Sequence, residues 1–194
     1  FFGGSGSGKT FMVLYLIITR AIKRPYSHLI LRRTLQSAKV SICHQGMPEV
    51  VNVCFPGFEI VSASGVKPVH PGVIVYNKAD NRYTFSNGSY ILIGGTEDKA
   101  KLQKLLGPGW STIYFNEATE IPEEAFDMCY TRLRQNSGLP FRFFVDCNPD
   151  FKSHWTFYRF VGKTFADKKP LADPENYGYF LMNPGDNPHL SEAY

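Results

Sequence analysis

The sequence is short of several things at once. Its 194 residues hold four cysteines, at positions 43, 54, 129 and 147, and no two stand in a CxxC spacing. That excludes a zinc site of the CxxC kind and a thioredoxin-type dithiol, and four unpatterned thiols suit a reducing compartment. Long hydrophobic runs are missing too. The longest, Phe11 to Ile18, has eight residues, far below the roughly 20 that a membrane-spanning helix needs. Charge of one sign is scarce: 21 Lys plus Arg against 17 Asp plus Glu leave +4. That balance permits contact with nucleic acid without arguing for it. No internal repeat or low-complexity stretch is present, and no Asp precedes Asp80. What remains is a globular composition, 43% hydrophobic and 20% charged, able to build a core. The first residue is Phe1 rather than Met, so a piece of a longer protein is expected.

Helix and strand patterns alternate along the chain. Residues 9–24 read as a helix, apolar nearly all round, as suits a helix packed inside a layered domain. His28 to Arg33 reads as a buried strand, with Thr34 placed to cap a helix that ends near Gly46. Phe58 to Ala63 reads as a strand, and residues 73–94 as two or three strands with a turn at Gly88. Asp98 to Leu106 is a short helix and Ser111 to Phe115 an apolar strand. Pro122 opens a helix expected to run to about Gln135, with Glu123 and Glu124 near its positive end. Pro140 to Cys147 is another buried strand. This order predicts an α/β fold with a mostly parallel central sheet and helices on both faces.

Gly3-Gly4-Ser5-Gly6-Ser7-Gly8-Lys9-Thr10 fits GxxxxGK[ST], the Walker A or P-loop pattern, at every constrained position. Glycines let the backbone curl so that N–H groups face phosphate oxygens at the positive end of the following helix. Lys9 then reaches the β- and γ-phosphates, and the Thr10 hydroxyl holds Mg²⁺. A Gly/Ser linker would not open directly into the apolar helix FMVLYLII. The site is read as binding a nucleoside triphosphate. Asn77-Lys78-Ala79-Asp80 matches the NKxD guanine reader, but a GTPase also needs a DxxG before it, and no Asp is available there. The match is read as a polar turn between strands, and GTP is set aside.

Ile113-Tyr114-Phe115-Asn116-Glu117 has the form of a Walker B strand end followed by an acid. In that arrangement the first polar residue orients Mg²⁺ through its water shell, and the next acid positions or deprotonates the attacking water. Asn116 stands where an Asp is usual and brings no charge. Glu120 is a candidate for the missing negative charge, and Glu117 for the catalytic carboxylate. A second strand end, Val145-Asp146-Cys147-Asn148-Pro149, follows. Asn148 fits a γ-phosphate sensor by type and place, and equally a turn-forming Asn before Pro.

In this order and spacing, the motifs resemble the large terminase subunits of tailed bacteriophages, chiefly the branch whose cradle reads GGxGSGKT or GGxGSGKS. The likeness covers nearly the whole chain. Besides the cradle it rests on Arg32-Arg33-Thr34 with Ser37 and Ser41, Gly94-Gly95-Thr96-Glu97-Asp98, and FNEATEI at 115–121. It continues through Arg132-Leu133-Arg134, CNPD at 147–150 with His154-Trp155 and Phe160, and Asp186-Asn187-Pro188-His189-Leu190. The resemblance implies a P-loop NTPase of the ASCE type, with ATP and Mg²⁺, driving double-stranded DNA into a procapsid through the portal. Residues 1–150 would form the ATPase core, without its first strand and adenine-contacting segment. Residues 151–194 would be a lid or linker leading to a nuclease domain beyond Tyr194.

Implied partners are DNA, the portal protein, the small terminase subunit and further copies of the chain in a ring, a pentamer, in the bacterial host cytoplasm and transiently on the procapsid; the isolated chain could be monomeric. The family's coupling motif maps onto Cys147-Asn148-Pro149, with Asp146 and Cys147 where many members have Thr before the Asn. Several members carry an Arg inside the cradle where this chain has Ser5, so a trans-acting cation is expected from Lys104, Lys101, Arg132 or Arg134. A solvated basic surface explains each of these equally well, and also Arg32, Arg33 and Lys39. His154 and Trp155 with Phe157, Tyr158 and Phe160 read as a packed cluster rather than a DNA-stacking platform. The alternatives are another P-loop translocase or helicase, and a catalytically weak ATPase that binds nucleotide.

Overall fold

The computed structural model describes residues 1–136, 138–148 and 150–189; Pro149 and Leu190 of the motifs above lie outside them. Seven strands form one sheet in the order β2-β3-β4-β5-β1-β6-β7. They are β1 (Ser27–Arg32), β2 (Glu59–Ser62), β3 (Val73–Asn77), β4 (Arg82–Phe85), β5 (Tyr90–Gly95), β6 (Thr112–Phe115) and β7 (Arg142–Val145). The pairs β1–β5, β1–β6, β2–β3 and β6–β7 are parallel; only β4 runs against its neighbours. Phe2 continues the sheet beyond β7, bridging Cys147 on one side and Leu181 on the other, both parallel. β7 is therefore inserted between β6 and the strand that feeds the Walker A loop.

Period-2 alternation sends neighbouring side chains to opposite faces. Ile30 and Tyr114 point to a face covered by α1 (Lys9–Lys23), whose Val13, Leu14, Ile17, Ile18 and Ala21 are fully buried. Each large aliphatic chain so buried contributes about 1.5–3 kcal/mol of transfer free energy. Met12 and Tyr15 on the other side of α1 are exposed, so the helix is a covering layer, less enclosed than its sequence suggests. Leu29, Leu31, Ile113 and Phe115 point to the second face, under α4 (Lys99–Leu105), α5 (Glu123–Tyr130) and α6 (Trp155–Phe160). Thr34 caps a helix where the sequence places it, and Asp98 caps α4 as well. Thr34 Oγ1 accepts from Ser37 N at 3.0 Å, and Asp98 Oδ1 accepts from Ala100 N and Lys101 N at 2.9 and 3.0 Å.

Two expected helix ends are corrected. Gly46 does not stop a helix. The segment passes from α2 (Leu35–Ala38) through a π-helical stretch, Lys39–Gly46, into α3 (Met47–Cys54). Gly46 is itself helical at φ −60 and is small because α1 lies against it; a Cβ there would stand 2.6 Å from Leu14 Cδ1. Met47 N–H reaches Ile42 O, five residues back. The next such link would run from residue 48 to Cys43, but Pro48 has no N–H. The Cys43 carbonyl instead accepts the Tyr83 hydroxyl at 3.3 Å. The second correction concerns α5, which ends at Tyr130 rather than about Gln135. Leu133 bridges Trp110, and Gln135 accepts from Ser27 N and Oγ at 2.9 and 2.7 Å. Pairing at the start of β6 overrides helix propensity there.

Candidate functional site

The Walker A loop, Gly3 to Thr10, joins the Phe2 strand to α1. Gly8 caps α1 in the left-handed region at φ 82, which a residue with a Cβ adopts only at a cost of about 1–2 kcal/mol. The loop is gripped from outside as well. A Cβ at Gly3 would fall 1.9 Å from Met182 O, and Asn187 Nδ2 donates to Gly6 O at 2.7 Å. Ser5 and Gly6 are exposed at the tip, whereas Lys9 is 6% exposed. Its ammonium lies within the loop, shared among Gly3 O and Gly4 O at 2.8 Å each, Ser7 Oγ at 3.2 Å and Asn148 Oδ1 at 3.2 Å. Asn148, the expected sensor, thus touches Lys9 directly.

A second set of contacts converges on Asp146, at the end of β7. Phe115 and Val145 are register partners, so residues 116 and 146 emerge side by side. Asp146, 1% exposed, accepts from Thr10 Oγ1 at 2.8 Å and Tyr114 Oη at 2.6 Å. Asn116 Nδ2 lies 3.1 Å from each of its oxygens, and Glu117 N donates at 2.7 Å. Asn116 Nδ2 also lies 3.2 Å from Thr10 Oγ1, and Ser41 Oγ donates weakly to Asn116 Oδ1 at 3.4 Å. Burial and the Asp146 charge push the Tyr114 phenol well above its usual range, so it stays a neutral donor. Sequence reasoning noticed Asp146 only as a replacement for Thr in the coupling motif. An acid one residue past an apolar strand, level with the Walker B end, was the available signal.

Glu117 follows with a backbone at φ 54, a left-handed conformation sparse for a residue with a side chain and concentrated at functional positions. Desolvation, then the negative charge of Asp146, raises its carboxyl pKa above 4.5; Arg32 and Lys9 oppose the rise. A half-buried base tuned upward is suited to accept a proton from water. Glu120, a candidate for the missing Walker B charge, is exposed on the 3-10 turn Ala118–Glu120. Asp146 lies nearer to Asn116, because a parallel register neighbour is closer than a residue three positions on. Among the described residues no three His, Cys, Asp or Glu side chains converge on one point. A metal here would meet one carboxylate, the Thr10 hydroxyl and oxygens of a bound ligand. That donor set fits Mg²⁺, which takes one or two carboxylates plus substrate phosphates.

The candidate cations fall in two places. Lys101 and Lys104 are exposed on α4, which follows β5 at the site end of the sheet, and Lys101 pairs with Asp98 at 3.6 Å. Arg132 and Arg134 lie beside Trp110 and Gly109, at the start of β6 and away from Asn116. The NKAD stretch is a hairpin turn between β3 and β4, with Asn77 Nδ2 bonded to Asp80 at 2.7 Å. Trp155 is packed, 5% exposed, with its indole donating to Ile121 O at 2.7 Å.

A sequence model of the phage terminase large subunit matches residues 1–194. The chain belongs to the phage terminase large-subunit family. No curated protein matches it. The large terminase of a thermophilic bacteriophage superposes with a TM-score of 0.75 at 17% identity, covering 99% of this chain and 42% of that one. The same terminase in complex with ADP gives 0.73 at 17%, covering 98% and 41%. The ATPase domain of the Thermus phage P74-26 large terminase gives 0.52 at 14%, covering 93% and 72%. At such identities the likeness is one of fold, the ASCE P-loop α/β sheet shared with terminase ATPase domains. This terminase chain spans about two fifths of the length of the thermophilic phage's protein.

Proposed function

We propose that the chain is the ATPase part of a DNA-packaging motor, binding ATP with Mg²⁺ and using its hydrolysis to move double-stranded DNA into a procapsid. The observation that carries this reading is the meeting of Lys9 with Asn148 at 3.2 Å and of Thr10 with Asp146 at 2.8 Å. These contacts tie the phosphate loop to the end of the strand inserted beside it, and Glu117 is held next to them through its own N–H. In this reading Gly3 to Gly8 cradle the phosphates and Lys9 neutralises the β and γ groups. Glu117 holds and deprotonates the attacking water, and Asn148 reports γ-phosphate occupancy to Lys9. Thr10 and the neighbouring carboxylate would hold Mg²⁺, whose chemistry there would be to neutralise phosphate charge.

DNA, the portal, the small terminase subunit and a ring of copies belong to this proposal, as does action in the host cytoplasm; no helix among the described residues is long and apolar enough to cross a membrane. The trans-acting cation is assigned to Lys101 or Lys104, which the fold exposes at the site end, rather than to Arg132 or Arg134. A nucleotide binder without turnover, suggested by the uncharged Asn116, is the second reading; phosphate release by wild type but not by Glu117→Gln would exclude it. The deciding experiment uses the full-length protein with purified procapsids and measures DNase-protected DNA. ATP-dependent protection, lost in Glu117→Gln, is expected. ATP turnover by wild type without any protected DNA would reject packaging in favour of another translocase.

A further inference from the structure

The Walker B strand of this protein ends in an amide, and the carboxylate expected there is one strand away. We propose that Asp146 is the acid of the Mg²⁺ site and that Asn116 is its positioning residue, the two having exchanged places across the β6–β7 pair. The inference rests on the nucleotide-hydrolysing reading above and adds to it which strand carries the charge.

Three observations support the exchange. First, Asp146 Oδ2 accepts the Thr10 hydroxyl at 2.8 Å, and Thr10 is the residue whose oxygen a P-loop turns toward the metal. Second, every hydrogen-bond partner of this buried carboxylate is a neutral donor: Thr10, Tyr114, Asn116 and the Glu117 N–H. A buried anion is costly to maintain without a counter-charge. Here no cation bonds to it directly beside the Walker A loop, and its oxygens remain available to a cation that arrives with the nucleotide. Third, the Asn116 amide lies 3.1 Å from both carboxylate oxygens and its own oxygen accepts from Ser41. It can fix the plane of a carboxylate beside it and can supply no charge itself. Other nearby acids are less well placed: Glu120 is exposed, and Glu117 meets this cluster through its backbone N–H.

The test measures binding of a fluorescent ADP analogue with Mg²⁺ and with a chelator, so that the metal contribution is read without turnover. Wild type is expected to bind in chelator and to tighten with Mg²⁺. In Asp146→Asn the affinity in chelator should persist while apparent Mg²⁺ affinity falls about 10–100-fold. The double variant Asn116→Asp/Asp146→Asn returns a carboxylate to β6 and keeps one acid and one amide in the pocket. It should recover the Mg²⁺ response. An unchanged Mg²⁺ response in Asp146→Asn overturns the proposal and leaves the hydrolase reading intact. So does a folded double variant with no response, which also decides the matter if Asp146→Asn fails to fold by circular dichroism. Wild type that binds no nucleotide under either condition overturns the hydrolase reading and this inference with it.

Discussion

Two polar clusters in this protein hold carboxylates in opposite ways. On the α5–α6 surface, Glu123 and Asp127 meet Arg159, with N–O distances of 2.7 and 3.1 Å, and the Tyr158 hydroxyl adds a bond to Glu123. The Arg159 side chain is 8% exposed and lies over the Phe126 and Phe165 rings. Charge there is neutralised within the fold, and the group fastens one helix to another. At the Walker end, Asp146 is more deeply buried and is hydrogen-bonded only by neutral donors. The contrast is between acids paired with a cation inside the fold and an acid whose hydrogen bonds all come from neutral donors. A count of buried charges would rank them alike; the nature of the partners tells them apart.

Four measurements would collapse that contrast or define it more closely. The largest effect belongs to Glu117→Gln, which should bind ATP but lose turnover by about 10²–10⁴-fold, measured by phosphate release; unchanged turnover would move the base elsewhere. Next, Arg159→Leu leaves two acids without their partner and should lower stability by about 2–3 kcal/mol in urea denaturation. Its Mg²⁺-dependent nucleotide affinity should stay at the wild-type value, and a loss there would erase the distinction between the clusters.

Tyr114→Phe removes one donor from Asp146 and should cost about 1.5 kcal/mol while weakening the Mg²⁺ response. No change in either would mean the phenol is idle. The smallest effect is a pH dependence. The folded protein raises the Glu117 pKa above 4.5, chiefly by desolvation. It therefore keeps that proton at pH values where the unfolded chain has released it. Stability falls as pH rises through this interval, and the deficit persists above it. Glu117→Gln should thus stabilise the protein at neutral pH by less than about 1 kcal/mol, with the gain vanishing below pH 4.5, as thermal melts across pH would show.

Much of the fold was legible because its signals are local. Gly8-Lys9-Thr10 opens a helix, Thr34 and Asp98 cap helices, and Asn77 to Asp80 make a turn, each through contacts within a few residues. The features that escaped depend on neighbours distant in sequence. Gly46 reads as a stop until α1 is seen lying on it. The run from Thr131 to Gln135 keeps a helical pattern yet is recruited to the start of β6. Asp146 meets Asn116 only because two parallel strands fall into one register, and periodicity in either strand is blind to that offset. The loop and Glu117 lie in contiguous motifs, and Asp146 joins them only through a strand pairing.

The tight packing around Gly3 has a mechanical meaning. The phosphate loop and residues 182–187 share a wall with no room for one methyl group at Gly3, and Asn187 is tied to the carbonyl of Gly6. Bringing Gly3 nearer to that stretch would press it on the Met182 carbonyl, and drawing Gly6 away would break the Asn187 bond, so each segment limits the positions open to the other.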